Sequence, residues 1–174
     1  MSILDDNEKL KTLAMHDQLT GLPNRHYSLA LLESRIKESK QFDIPFGIAI
    51  LDIDHFKKVN DNYGHTIGDL VLQVFSKTCS GSIRKSDIIA RYGGEEFLCI
   101  FTGVDSDSLK ISLEQLRMLV SASTIRKDNL SVAITVSIGG TMVQEDDSII
   151  SIIERADRLM YQSKNNGRNQ VTIG

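Results

Sequence analysis

No run of apolar residues in this 174-residue sequence approaches the ~18 needed to cross a bilayer, which excludes a helical membrane span. The start of the chain, Met1-Ser2-Ile3-Leu4-Asp5-Asp6, lacks the basic region and apolar block of a secretory signal. Cysteine is scarce: Cys79 and Cys99 sit in apolar stretches without metal-ligand spacing, so reduced core thiols in a cytoplasmic protein are expected. There is no excess of basic residues. The formal charge of −3 argues against a general nucleic-acid binder, and no membrane contact is expected. A Gly-x4-Gly-Lys-Ser/Thr phosphate loop is missing, as are repeats and low-complexity segments. Against these absences, a hydrophobic content of 41% suffices for one ordinary core, and the length fits one domain with a short appendage.

Periodicity predicts the elements in order. Residues 3–15 read as a helix with a thin apolar stripe, either the end of a stalk from an upstream sensory domain or a tail. The division expected is 1–16 as this helical stub and 17–174 as the folded domain. Asp17 to Arg25 is a polar turn broken by Gly21 and Pro23, followed by a helix carrying Leu29, Leu32 and Ile36. Phe46 to Ile53 is nearly all apolar, as in a strand buried on both faces. Residues 55–64 read as a short basic and polar segment, and residues 65–80 as the clearest helix. A hairpin over 87–102 follows, then a helix on Leu109, Leu113, Leu116 and Val120. Val132 to Val143 is expected as one strand interrupted by Gly139-Gly140. A helix from Ile149, capped near Asn165-Asn166-Gly167, and a closing strand at Val171-Thr172-Ile173 end the chain. A hairpin amid alternating helices and strands predicts an α/β (α+β) sandwich with antiparallel pairs.

The stretch Arg91-Tyr-Gly-Gly-Glu-Glu-Phe97 carries most of the chemistry. Gly93 and Gly94 suit the tip of a two-residue hairpin, where positive φ is needed. That places Glu95 and Glu96 at the mouth of a sheet, where carboxylates are costly unless solvated, paired or bound to a cation. Asp52 ends the buried strand, at the edge where ligands gather in open α/β sheets. With Glu95 it can hold Mg²⁺, an ion that takes one or two carboxylates plus phosphate oxygens. Adjacent strand residues face opposite sides, so one glutamate should reach the metal and the other the substrate or a neighbour. Lys57, Lys164 and Arg168 suit a triphosphate, or are ordinary solvated cations. His65 and Asp69 lie one helical turn apart. An aspartate accepts from the N1–H and 2-amino group of guanine, which adenine cannot match, and the Asn60 amide can read the same edge.

Taken together, Asp17-Gln-Leu-Thr-Gly-Leu-Pro-Asn-Arg25, Asp52-Ile-Asp-His-Phe-Lys57, Asn60-Asp, Gly64-His-Thr-Ile-Gly-Asp69, the Gly-Gly-Glu-Glu-Phe stretch, Ser137-Ile-Gly, Tyr161-Gln-Ser-Lys164 and Gly167-Arg-Asn169 resemble the GGDEF domain of diguanylate cyclases. The resemblance runs from Asp17 to the end. It implies a ferredoxin-like palm similar to nucleotidyl cyclases, with a mixed, mainly antiparallel sheet flanked by helices and a hairpin carrying the motif. It implies a homodimer that condenses two GTP into cyclic di-GMP and releases two pyrophosphates. Mg²⁺, with Mn²⁺ as a substitute, would be held by Asp52, the Ile53 carbonyl and Glu95. Glu95 would accept a proton beside Glu96. Asn60, Asp69, His65, Phe56, Lys57, Lys164 and Arg168 would bind substrate. Arg84 and Asp87, in the Arg-x-x-Asp just before the hairpin, would form an inhibitory product site. The alternatives are a catalytically silent module that binds GTP or cyclic di-GMP, and an adenylyl-cyclase-like enzyme.

Overall fold

The computed structural model describes residues 14–174. The helix expected over 3–15 lies almost wholly outside the described residues; Ala14 and Met15 are helical. Five helices follow, α1 (Arg25–Phe42), α2 (Phe56–Tyr63), α3 (His65–Ser80), α4 (Ser106–Ala122) and α5 (Ile149–Asn165). The strands are β1 (Phe46–Ile53), β2 (Ile88–Arg91), β3 (Glu96–Thr102), β4 (Thr124–Lys127), β5 (Leu130–Ala133), β6 (Val136–Met142) and β7 (Val171–Ile173).

One sheet runs β2-β3-β1-β6-β7; every pair is antiparallel except β6 with β7. Its first four strands have the order of a ferredoxin-like βαββαβ unit, to which α5 and β7 are added. β1 lies in the middle and is buried along its whole length, as its apolar run requires. Alternation sends Phe46, Ile48 and Ile50 toward Leu32 and Ile36 of α1 and Ile152, Ala156 and Met160 of α5. The odd residues Ala49, Leu51 and Ile53 join a second core with Val71 and Phe75 of α3 and Leu109 and Leu113 of α4. Asp52 therefore continues the face covered by α1 and α5. Among the described residues no helix is long and apolar enough to cross a membrane.

Local signals set the helix starts. Asn24, Asp105 and Ser148 cap α1, α4 and α5 by accepting from the amides of Tyr27, Ser108 and Ser151. α2 goes beyond expectation, since residues 55–64 read only as a short basic and polar segment. It has no side-chain cap, and its N-cap His55 sits at φ 56°. Only Phe56 and Val59 of its eight residues are buried, so packing against α3, not its own pattern, makes it helical.

The strand expected from Val132 to Val143 is instead two. Residues 130–133 pair with β4 in a separate small hairpin, and β6 begins at Val136. Gly139-Gly140 does not interrupt β6. A Cβ on Gly139 would lie 2.0 Å from the Met160 amide nitrogen and 2.2 Å from the Ala156 carbonyl oxygen, so glycine lets α5 press onto the strand. Both contacts are backbone and cannot swing away. Gly139→Ala is expected to cost at least about 3 kcal/mol, a fall of roughly 6–12 °C in Tm. Gly94→Ala, with nothing within 4 Å, should move Tm by under about 2 °C. Equal losses in thermal scans would show that the α5–β6 approach is looser than described.

Candidate active site

The β2–β3 turn carries the two glutamates. The Glu96 carbonyl accepts from both the Tyr92 and Gly93 amides, at 2.8 and 3.0 Å. Two residues thus oppose one, a bulge that redirects the strand end. The expected glycine tip is therefore corrected: neither Gly93 nor Gly94 takes a left-handed φ. Gly93 is instead a matter of space, since a Cβ there would lie 2.8 Å from Glu96 Oε2. Arg91 braces the turn. Its guanidinium donates to the Gly93 carbonyl at 3.2 Å, to the Gly94 carbonyl at 2.8 Å and to both Asp17 oxygens at 3.1 Å. Its amide donates to Pro23. The polar turn at 17–25 is thereby fastened to the hairpin. Hydrogen bonds from Thr20 and the Arg91 charge outweigh partial burial and hold the Asp17 carboxyl below its usual range.

Asp52 and Glu96 are paired across β1 and β3, so their side chains share a face. The Ile53 amide donates to the Glu95 carbonyl at 3.3 Å, which brings the turn against the end of β1. Asp52 is 6% exposed. Burial pushes its carboxyl up to about 6; the Lys164 ammonium, 2.9 Å away, opposes this, and the Glu95 and Glu96 charges add to it. A buried carboxylate crowded by two more and countered by one ammonium has unmet demand for positive charge. That demand fits a divalent cation. Among the described residues no three acidic or imidazole groups already form a cage. Such a partial donor set suits Mg²⁺, which keeps waters and takes phosphate oxygens from its substrate.

The base-reading candidates gather on α2 and α3. The Asn60 side chain lies so close to Gly68 that a Cβ there would stand 1.9 Å from its Oδ1. Asp69 and His65 are exposed on one face of α3, and Lys57 is exposed on α2. The Phe56 ring is buried, and its Cζ would lie 3.4 Å from a Cβ at Gly68. Arg168 is exposed in the turn after α5, and no described residue pairs with its side chain.

Arg84 and Asp87 stand apart from this cluster. Asp87 accepts from the Arg84 amide at 3.2 Å and the Thr102 amide at 3.3 Å, and the two side chains form no ion pair. Arg84, Asp87 and Ile83 line two clefts, one of about 350 Å³ toward Ser108 and Ile111 of α4. The other, about 430 Å³, opens toward Tyr27 and Leu31 of α1. A larger cleft of about 720 Å³, lined by Asp43, Pro45 and Gln144 among others, lies at the far end of β1.

A family model described as "Diguanylate cyclase, GGDEF domain" matches residues 14–170. This chain is a member of the GGDEF domain family. It is 36% identical over 99% of its length to Diguanylate cyclase A of Treponema denticola, covering 47% of that protein. It is 41% identical over 91% of its length to the response regulator PleD of Caulobacter vibrioides, covering 36% of it. The chain thus spans less than half of these curated relatives. Among solved structures, the coiled coil and GGDEF domain of DgcB from Caulobacter crescentus in complex with c-di-GMP matches with a TM-score of 0.94. Identity there is 33%, over 99% of this chain and 92% of that one.

In the sequence, Asp17, Asp54 and Arg91 stand out only as parts of motifs. The signal for Arg91 was its place two residues before Gly93-Gly94 in the motif. The signal for Asp54 was its place in the same motif two residues after Asp52, just past the end of β1.

Proposed function

We propose that this GGDEF domain is the catalytic part of a cytoplasmic diguanylate cyclase, with residues 1–16 as the end of a connection to an upstream sensory domain. The observation that carries the reading is the buried Asp52 carboxylate, raised to about 6 beside Glu95, Glu96 and Lys164. Asp52, the Ile53 carbonyl and Glu95 would hold Mg²⁺, or Mn²⁺ in its place. When bound, the ion lowers the cost of deprotonating a hydroxyl and shields phosphate charge.

Asn60 and Asp69 read the guanine edge, with His65 beside them. Lys57, Lys164 and Arg168 orient the triphosphate. The 3′-oxygen of one GTP bonds to the α-phosphorus of a second, and the bond from that phosphorus to pyrophosphate breaks. Glu95 takes the 3′ proton, and Glu96 keeps negative charge beside it. The reciprocal step closes the ring. A two-fold product from a domain that holds one GTP requires two domains facing each other, hence a homodimer.

Incubation with GTP and Mg²⁺, followed by chromatography and mass identification, should yield cyclic di-GMP with two pyrophosphates released for each ring closed. Specific activity should rise with protein concentration. Binding of GTP with no product at any concentration would instead mark a silent binding module.

Product inhibition is assigned to Arg84 and Asp87. The Arg84 fork is free to meet phosphate or guanine, because Asp87 engages its backbone and not its guanidinium. Arg84→Ala should keep the initial rate and lose the slowing as product accumulates. A variant as sensitive to added cyclic di-GMP as the parent would place inhibition elsewhere.

A further inference from the structure

One buried acid at the end of β1 has no part in the reaction as proposed. Asp54 is 4% exposed. Its Oδ1 accepts from the Ser137 hydroxyl at 2.6 Å, and its Oδ2 from the Thr135 hydroxyl at 2.7 Å and the Asn169 amide at 3.0 Å. No ion pair among the described residues includes it. Two of the three donors come from the β5–β6 connection and β6. The third comes from a segment 115 residues away, the turn that follows α5.

That turn is strained. Gly167, Arg168 and Asn169 stand in succession at φ 116°, 65° and 45°. Two of them carry a Cβ, and such residues keep a left-handed backbone only where their surroundings hold them there. Five contacts do so, the first from the Gly167 amide to the Lys164 carbonyl at 3.4 Å. The Arg168 amide donates to the Ser163 carbonyl at 2.9 Å, and Gln170 Nε2 to the Arg168 carbonyl at 3.1 Å. Arg117 of α4 donates to Asn169 Oδ1 at 3.0 Å. The fifth is Asp54, and among the described residues it alone ties the turn to the end of β1. A buried side chain thus fixes a strained turn whose outward side chain, Arg168, has no partner among the described residues.

We propose that Asp54 is a positioning residue for the phosphate-contacting turn. By holding the Asn169 amide, it sets Arg168 at a fixed place relative to Asp52 and Lys164, so that the guanidinium meets the β- and γ-phosphates of the nucleotide. The proposal rests on the reading of Arg168 as a phosphate contact. It concerns the triphosphate end of the substrate and leaves base recognition untouched.

The test compares calorimetric affinities for 3′-deoxy-GTP, which lacks the attacking hydroxyl, and for GMP, which lacks the β- and γ-phosphates, both at saturating Mg²⁺. Asp54→Asn keeps the shape but replaces one acceptor oxygen with a donor. It should weaken 3′-deoxy-GTP by about tenfold, the size of one charge-assisted hydrogen bond, and leave GMP unchanged. Arg168→Ala should do the same, and the double variant should be no weaker than Arg168→Ala alone, because both changes remove one contact. Equal weakening of both nucleotides by Asp54→Asn, full additivity with Arg168→Ala, or recovery in tenfold higher Mg²⁺ would overturn the proposal. If Arg168→Ala binds 3′-deoxy-GTP as the parent does, the reading of Arg168 fails, which is a separate result. Should Asp54→Asn not fold, Arg117→Ala loosens the same turn from α4. A parent-like ratio of the two affinities in that variant overturns the proposal.

Discussion

Asp52→Asn is expected to stop cyclic di-GMP synthesis and, in the same protein, to raise Tm at neutral pH. The loss of turnover follows from removing one charged ligand that acts on a developing charge, a change that costs about 10²–10³ in rate or more. The gain in stability follows from where the charge sits. The Asp52 carboxyl is raised from 3.8 to about 6, with burial as the main cause. Between those values the native state binds a proton that the unfolded chain has released, so stability falls as pH rises through the window. Asparagine cannot ionise. Without divalent cation, the variant and the parent should therefore match below about pH 4 and diverge until about pH 6, above which the full difference persists. Lys164 loses its partner, but its side chain is 25% exposed and water replaces it. Added Mg²⁺ should then stabilise the parent and leave the variant where it was, because a ligand that binds only the native state raises Tm by mass action. Thermal scans across pH, with chelator and with Mg²⁺, check both parts. A variant less stable than the parent at pH 7.5 in chelator would show that Lys164 satisfies Asp52 fully.

The second large effect expected is on base selection. A site that pairs the N–H groups of its substrate rejects an analogue lacking them by about 10⁴ or more. GTP should thus bind and react while ATP does neither. Asn60→Ala and Asp69→Ala should each remove most of the discrimination, chiefly by weakening GTP. The close approach of Asn60 to Gly68 supplies a less direct probe. In Gly68→Ala the new Cβ would stand 1.9 Å from Asn60 Oδ1, so the amide must swing away although both functional side chains remain. That variant should lose guanine affinity much as Asn60→Ala does. Comparable calorimetric affinities of the parent for GTP and ATP would remove the assignment. A Gly68→Ala protein that binds GTP normally would show that Asn60 reads the base from another rotamer.

Much of the fold was legible where a residue pattern had one physical outcome. The apolar run at 46–53 can only be a strand covered on both sides, and it is the central one. The stripe at 65–80 belongs to a helix whichever way it packs. Asp52, Glu95 and Glu96 could be singled out because acids at the end of such a strand and beside a hairpin are costly without a counter-charge. Each of these signals is local, set by side-chain period, chain stiffness or desolvation of one residue.

Other features depended on partners distant in sequence. α2 is helical because Phe56 and Val59 find α3. β5 parts from β6 because 130–133 pair with β4. Gly139 stays in its strand because α5 needs the room. In the site, the hydrogen bond from the Ile53 amide to the Glu95 carbonyl, the Arg91 brace to Asp17 and the hold of Asp54 on Asn169 all join segments separated by dozens of residues. The sequence by itself determined most of the elements and which acids need a counter-charge, since burial and periodicity act along the chain. The tertiary structure decided which of those groups meet. Hydrogen-bond geometry and close packing act across space, where a single misplaced Cβ or missing acceptor changes the outcome.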